Sequence, residues 1–154
     1  MPLQAGVFPM MAADFPRVVE VWEASVRATH HFVSEADIQL FKPLVRDELP
    51  KIEQLVGLRD SDGQVAGFIG VVDQKVEMLF IHPAWRGQGG GRRLLDYAVT
   101  TLGATTLDVN EQNEQAIGFY LRLGFEIVGR SALDGMGKPY PLLHLRLAGV
   151  SADD

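Results

Sequence analysis

The residues best suited to chemistry lie in one stretch, LFIHPAWRGQGGGRRLLDY, from Leu79 to Tyr97. Four glycines fill five positions there (Gly87, Gly89, Gly90, Gly91), between an apolar run and a helical pattern. Each glycine costs about 0.5–1 kcal/mol against alanine in regular structure, so the bare backbone has to serve something. A strand, a glycine-rich turn and a helix start make an anion site, because amide N–H groups converge and the helix dipole adds partial positive charge. Arg92 and Arg93 oppose that dipole, and a bound anion would offset them. Two phosphate loops are excluded. The P-loop needs a lysine after its last glycine, and none follows here. The dinucleotide pattern G-x-G-x-x-G needs glycine at position 92 or 94, where Arg92 and Leu94 stand. The expected ligand is a diphosphate of another kind.

The elements that must position this loop read as an α/β chain. The 154 residues are 47% hydrophobic and 22% charged, which fits one globular domain with a full core. No apolar run approaches the roughly 18–20 residues of a membrane span, and the N-terminus lacks the basic region of a signal peptide. The absence of cysteine rules out disulfides, thiolate metal sites and a cysteine nucleophile, and is compatible with the cytoplasm. A net charge of −6 argues against nucleic acid and draws in cations such as amines.

Asp14 is an expected N-cap, with Pro16 in the first turn and Phe15, Val18, Val19, Trp22 and Val26 as a helical stripe. A second helix is expected from Ser34 toward Pro50, interrupted at Pro43. DSDG, ending at Gly63, reads as a hairpin turn, so the strands around it and KVEMLFI are expected to be antiparallel neighbours. After the glycines come a helix, the strand TTLDVN, a helix ending at Gly124 and two closing strands. The order is β-α-α-β-β-β-α-β-α-β-β, a mixed, mostly antiparallel sheet flanked by helices.

Two blocks carry a family resemblance. Arg86-Gly87-Gln88-Gly89-Gly90-Gly91 resembles the R-x-x-G-x-G/A loop of the GCN5-related N-acetyltransferases (GNATs), here preceded by LFIHP. NEQAIGFYLRLGF, from Asn113 to Phe125, resembles their N-x-x-A-x-x-F-Y-x-x-x-G-F helix. The element order is similar over nearly the whole chain. ATHHFVSEADI, DVNEQNEQAIGFY and GKPYPLLHL further resemble a bacterial subgroup of peptidyl-lysine N-acetyltransferases. The resemblance implies one N-acetyltransferase domain over residues 1–149 with a tail over 150–154. It implies acetyl-CoA as co-substrate and no metal. Backbone N–H groups from Gln88 to Arg92 would cradle the pyrophosphate. Leu79, Phe80 and Ile81 would pair with the pantetheine arm where two strands splay apart, and Asn113 would hydrogen-bond the cofactor.

Acetyl transfer then needs a deprotonated amine, a polarised carbonyl and a proton for the departing thiolate. A lysine amine, with a pKa near 10.4, is mostly protonated at neutral pH. Backbone N–H groups of Leu79–Ile81 can polarise the carbonyl. Tyr120 follows Asn113 by two helical turns, which puts both on one face, and its position is the family's usual general acid. Glu77, two residues before Leu79, is expected on that residue's side of the strand as a base or an ammonium ligand. Trp22, Thr29, His30 and Tyr140 are expected along the acceptor groove. His30 and His31 diverge by about 100° on a helix and so do not form a metal pair. His82 and His144 are expected at the surface, and the Gly135–Pro139 loop is either a flap or a plain hairpin connection. The expected activity is acetylation of a primary amine, in the subgroup a protein lysine. A small-amine acetyltransferase, or a non-catalytic acyl-CoA-binding module, is the alternative. Monomer and homodimer both remain open.

Overall fold

Pro16 fixes the first turn of a helix at a position where no N–H is needed, and the apolar stripe behind it buries Val18, Val19, Trp22 and Val26. This helix is α1 (Phe15–Thr29) in the computed structural model, which describes residues 2–149. The expected tail over 150–154 lies outside the described residues. Asp14 precedes α1 without capping it. Its carboxylate instead accepts the Met11 N–H at 2.9 Å and pairs with Arg59 at 3.1 Å. α2 (Glu35–Glu48) is capped as expected, with Ser34 Oγ accepting the Asp37 N–H at 3.1 Å.

The expected interruption at Pro43 does not occur, since α2 is continuous through it. The proline removes one helical hydrogen bond. The carbonyl it leaves without a donor belongs to Gln39, which is exposed, so water can satisfy it.

Seven strands form one sheet in the order β1-β2-β3-β4-β5-β7-β6. They are β1 (Phe8–Pro9), β2 (Gln54–Arg59), β3 (Val65–Val72), β4 (Lys75–Ile81), β5 (Thr106–Asn110), β6 (Phe125–Ser131) and β7 (Leu142–Leu147). Every pairing is antiparallel except β4 with β5. The turn between β2 and β3 places Gly63 at φ +84°, as its sequence requires. α3 (Gly90–Thr100) and α4 (Glu114–Arg122) cover one face of the sheet, over a core that includes Leu58, Ile69, Leu94, Leu95, Leu107 and Leu145. α1 and α2 cover the other, around Val18, Val21, Trp22, Leu49 and Phe68.

β2 and β3 approach closely at Gly57. A Cβ built there would stand 2.7 Å from the Gly67 carbonyl oxygen and 2.9 Å from Met10 Sδ. The backbone of a central strand cannot yield as a side chain can. Gly57→Ala is therefore expected to destabilise the fold by about 1–3 kcal/mol, the usual range for overpacking. A urea or thermal melt checks this, and unchanged stability would show that the strands can separate.

Candidate active site

The parallel pairing of β4 and β5 is very short. Register runs from Lys75↔Thr106 to Val76↔Leu107 and no further. Beyond it the strands part, so from Glu77 to Ile81 the edge of β4 that faces β5 carries backbone N–H and C=O groups with no strand across from them. Its other edge stays paired with β3 as far as Gly67↔Ile81.

The register between β3 and β4 also shifts. Gly70 opposes Met78 while Val71 opposes Val76, so Glu77 is an inserted bulge residue. The strict alternation expected to place Glu77 on Leu79's side does not pass through it. Val76, Leu79 and Ile81 face the α3/α4 core while Met78 and Phe80 face the α1/α2 core. Glu77 is exposed and lines the gap itself.

Gly87 and Gly89 both adopt positive φ, +80° and +78°, and Gly89 is the residue that caps α3. The first helical hydrogen bond there runs from Arg93 N–H to the Gly89 carbonyl at 3.0 Å. The N–H groups of Gly90, Gly91 and Arg92 therefore have no partner within the helix. They stand at the wall of a cleft of about 370 Å³ lined by Leu79, Phe80, Ile81, Arg86, Gly87, Gly89–Arg92, Asn113 and Tyr120. Arg86 Nη2 donates to Gln115 Oε1 at 3.1 Å, tying the glycine loop to α4. The two arginines that follow the glycines differ in role. Arg92 lines the cleft, whereas Arg93 Nη1 donates to the Gln4 carbonyl at 3.1 Å and supports the N-terminal segment. In the same wall Trp85 is buried, and its indole N–H has no acceptor among the described residues. Unpaired amides at a helix N-terminus, a cationic rim and an open strand edge match a diphosphate joined to an amide-bearing arm. These residues fit acetyl-CoA.

Asn113 caps α4 through Oδ1, which accepts the Ala116 N–H at 3.2 Å, and Nδ2 lies 3.5 Å from His30 Nε2. Tyr120 shares its side of α4, and both line the gap between the strands. Tyr120 is only 8% exposed. Burial alone pushes its phenol up to about 12, so the hydroxyl keeps its proton at any physiological pH and can donate it.

Of the expected acceptor residues, Thr29 and His30 reach the cleft from the end of α1. Thr29 Oγ1 donates to the Ser25 carbonyl and stands 2.7 Å from His30 Nδ1. Burial, with His31 nearby, holds His30 below the usual imidazole value. Stability from the neutral ring is complete above that ordinary value near 6.5 and is lost as pH falls through the lower folded value. His30→Gln is expected to flatten the loss of stability between about pH 7.5 and about pH 5.5, as measured by urea titration at both. An unchanged slope would assign the loss to other groups.

Trp22 sits in the α1/α2 core, and one edge lines an open groove with Phe41, Leu44, Met78 and Met136. Tyr140 lies outside the cleft. Its hydroxyl donates to Asp37 and its ring packs on Phe32 and Phe41. The Gly135–Pro139 loop is closed by Asp134 Oδ1, which accepts the N–H groups of Met136 and Lys138, each at 2.9 Å. Lys138 reaches Asp37 at 3.4 Å.

Two of the remaining histidines are tied down. His82 Nδ1 accepts the Ala84 N–H at 3.1 Å. His144, expected at the surface, is half-buried between Ser131 and Asp108, because β7 runs between β5 and β6 and its outward face is enclosed by theirs. Asp108 was missed by sequence reasoning, although a charge between buried Leu107 and Val109 is itself a signal. Among the described residues no three of His, Asp or Glu cluster as metal ligands, and no helix is long and apolar enough to cross a membrane.

Comparison with known proteins places this geometry. The model of an acetyltransferase (GNAT) domain matches residues 52–127. The peptidyl-lysine N-acetyltransferase YjaB of Salmonella typhimurium is 44% identical over 129 residues, spanning 84% of this chain and 88% of its own. The chain belongs to the GCN5-related N-acetyltransferase family. The Escherichia coli K12 YjaB is equally similar, 44% identical over 133 residues, with 86% of this chain and 90% of that one covered. Its apo form in solution superposes with a TM-score of 0.86 at 39% identity, covering 97% of this chain and all of that one. At 20% identity, a PaiA N-acetyltransferase from Thermoplasma acidophilum, solved with coenzyme A, shares the GNAT fold with a TM-score of 0.71, over 96% of this chain and 99% of that one. As a GNAT of this kind the protein is an acetyl-CoA-dependent N-acetyltransferase, and the antiparallel-rich sheet with one short parallel junction is the GNAT sheet.

Proposed function

We propose that the acceptor is the side-chain amine of a protein lysine, attacked directly while acetyl-CoA and acceptor are bound together. The observation that carries this reading is the open groove on the α1/α2 face. Met78 borders both that groove and the gap beside Tyr120, so a lysine stem laid across the surface can reach inward without the whole partner being enclosed. Both relatives at 44% identity bear the name peptidyl-lysine N-acetyltransferase.

Bound acetyl-CoA supplies the thioester whose acetyl group is transferred. The chain's own residues supply the rest. Amides of Gln88–Arg92 hold the diphosphate and the edge of Leu79–Ile81 orients the arm. N–H groups of that same edge polarise a carbonyl laid along it. Tyr120 keeps a proton on its phenol oxygen for the leaving sulfur. Glu77, lining the gap, draws the ammonium in. We place this chemistry in a single domain over residues 1–149, and its location in the cytoplasm.

Thiol release from acetyl-CoA with lysine peptides and with small amines, alongside thermal shift by CoA, tests the reading. Turnover on the peptides together with stabilisation by CoA is expected. Turnover on small amines alone would move the assignment to a small-molecule acetyltransferase. Stabilisation without turnover on either panel would leave a binding module.

A further inference from the structure

On the α1/α2 face of the sheet, four strands contribute a connected row of polar side chains. Lys75 Nζ from β4 donates to Asp108 Oδ2 of β5 at 2.7 Å. Asp108 Oδ1 lies 2.6 Å from His144 Nδ1 of β7, and His144 Nε2 lies 2.7 Å from Ser131 Oγ of β6. Nearby, Asp108 also lines the gap between β4 and β5, in the wall shared with Tyr120, Asn113 and Glu77. Facing it are the Lys75 ammonium and the His144 ring, with Glu77 adding negative charge beside Lys75. Burial raises the Asp108 carboxyl, but the hydrogen bonds with Lys75 and His144 outweigh it and hold it below its ordinary value. The Asp108 carboxylate thus holds one lysine ammonium already, at the point where β4 and β5 part and the gap begins.

We propose, on the basis of the lysine reading above, that Asp108 is the catalytic residue that receives the acceptor ammonium and takes its proton, with His144 and Ser131 as positioning residues that fix its carboxylate. One N–H bond of the ammonium breaks, an O–H bond forms on Asp108, and the freed electron pair stays on nitrogen for attack. The walls favour this. An ammonium drawn from water against Met78 and Phe80 is desolvated, which lowers an amine's pKa and brings it toward that of the carboxylate. His144 Nδ1 holds Asp108 Oδ1 and Lys75 Nζ holds Oδ2, so the carboxylate is fixed at both oxygens while each keeps a further acceptor site. Glu77 suits the role less well, being an exposed bulge residue whose carboxylate has no hydrogen-bond or ion-pair partner among the described residues.

The test compares wild type, Asp108→Asn, Glu77→Gln and His144→Gln on one lysine peptide across pH. Asp108→Asn is expected to lower kcat/KM about 100-fold near neutral pH, within the range for loss of a general base. Much of that should return above about pH 9.5, where a lysine amine increasingly loses its proton unaided. Glu77→Gln should raise KM a few-fold and keep the pH limb of wild type, whereas His144→Gln should shift that limb. CoA thermal shift and melting temperature, read on every variant, separate a folding defect from a catalytic one. A second readout needs no turnover: titrating n-butylammonium should move the His144 ring signals by NMR in wild type and leave them unmoved in Asp108→Asn. A pH limb lost in Glu77→Gln and retained in Asp108→Asn would overturn the proposal. So would His144 signals blind to the amine in wild type. Wild type inactive on every lysine peptide would instead overturn the lysine reading, and this proposal with it.

Discussion

Tyr120→Phe is expected to lower kcat about 100- to 1,000-fold, the range for losing a general acid, and to leave CoA affinity within about twofold because transition-state and ground-state contacts separate in this way. The side chain is buried against Phe119 and Phe125, and burial is the whole cause of its raised phenol. Among the described residues no hydrogen bond is lost with the oxygen, so the melting temperature should hold. The sign with pH follows from the same burial. A phenol at about 12 keeps its proton through about pH 10, so wild-type kcat should show no alkaline fall below that pH from this group. Steady-state kinetics with a CoA titration check both statements. Full turnover in Tyr120→Phe would remove the residue from the chemistry, and a matching loss of CoA binding would recast it as part of the cleft wall.

Gly89→Val is expected to weaken CoA binding by about 30-fold. Gly89 caps α3 at φ +78°, a left-handed conformation that costs an L-residue roughly 1–2 kcal/mol, and more for a β-branched one. Without ligand the loop can relax and leave the strain. Binding must restore the geometry that aims the unpaired amides of Gly90–Arg92, and so bears the cost. At about 1.4 kcal/mol per decade, ~2 kcal/mol is close to 30-fold. Nothing lies within 4 Å of a Cβ at this position, so the effect is conformational and not a clash. Calorimetry with CoA measures it. An affinity equal to wild type would mean that the loop does not depend on left-handed backbone at residue 89.

What the sequence made legible was local. The glycine run, the capping Ser34 and the period of α1 each depend on neighbours in the chain, and each stands in the structure where its pattern puts it. The element order follows, since short connections leave few topologies. The misjudged features depend on residues far apart. The bulge at Glu77 arises from how β3 and β4 register, which no strand pattern encodes. Arg93 looks like a partner for an anion until the fold brings the Gln4 carbonyl to it. Asp108, His144 and Ser131 lie on three strands separated by α4 and a long loop, so their meeting is visible only once the sheet is assembled. Pro43 shows the reverse, a strong local signal overridden where the carbonyl it leaves without a donor belongs to an exposed residue, Gln39, within reach of water.

The account's central claim is acetyl transfer from acetyl-CoA to a lysine side chain beside Tyr120. Its most direct measurement is the intact mass of a lysine peptide incubated with acetyl-CoA and the protein, with released thiol counted in the same sample. The expected result is one acetyl group on the lysine side chain per thiol released, at a rate well above the reaction without protein and largely lost in Tyr120→Phe. Peptide acetylated equally fast with and without the protein, or thiol released with no acetylated amine, would contradict it.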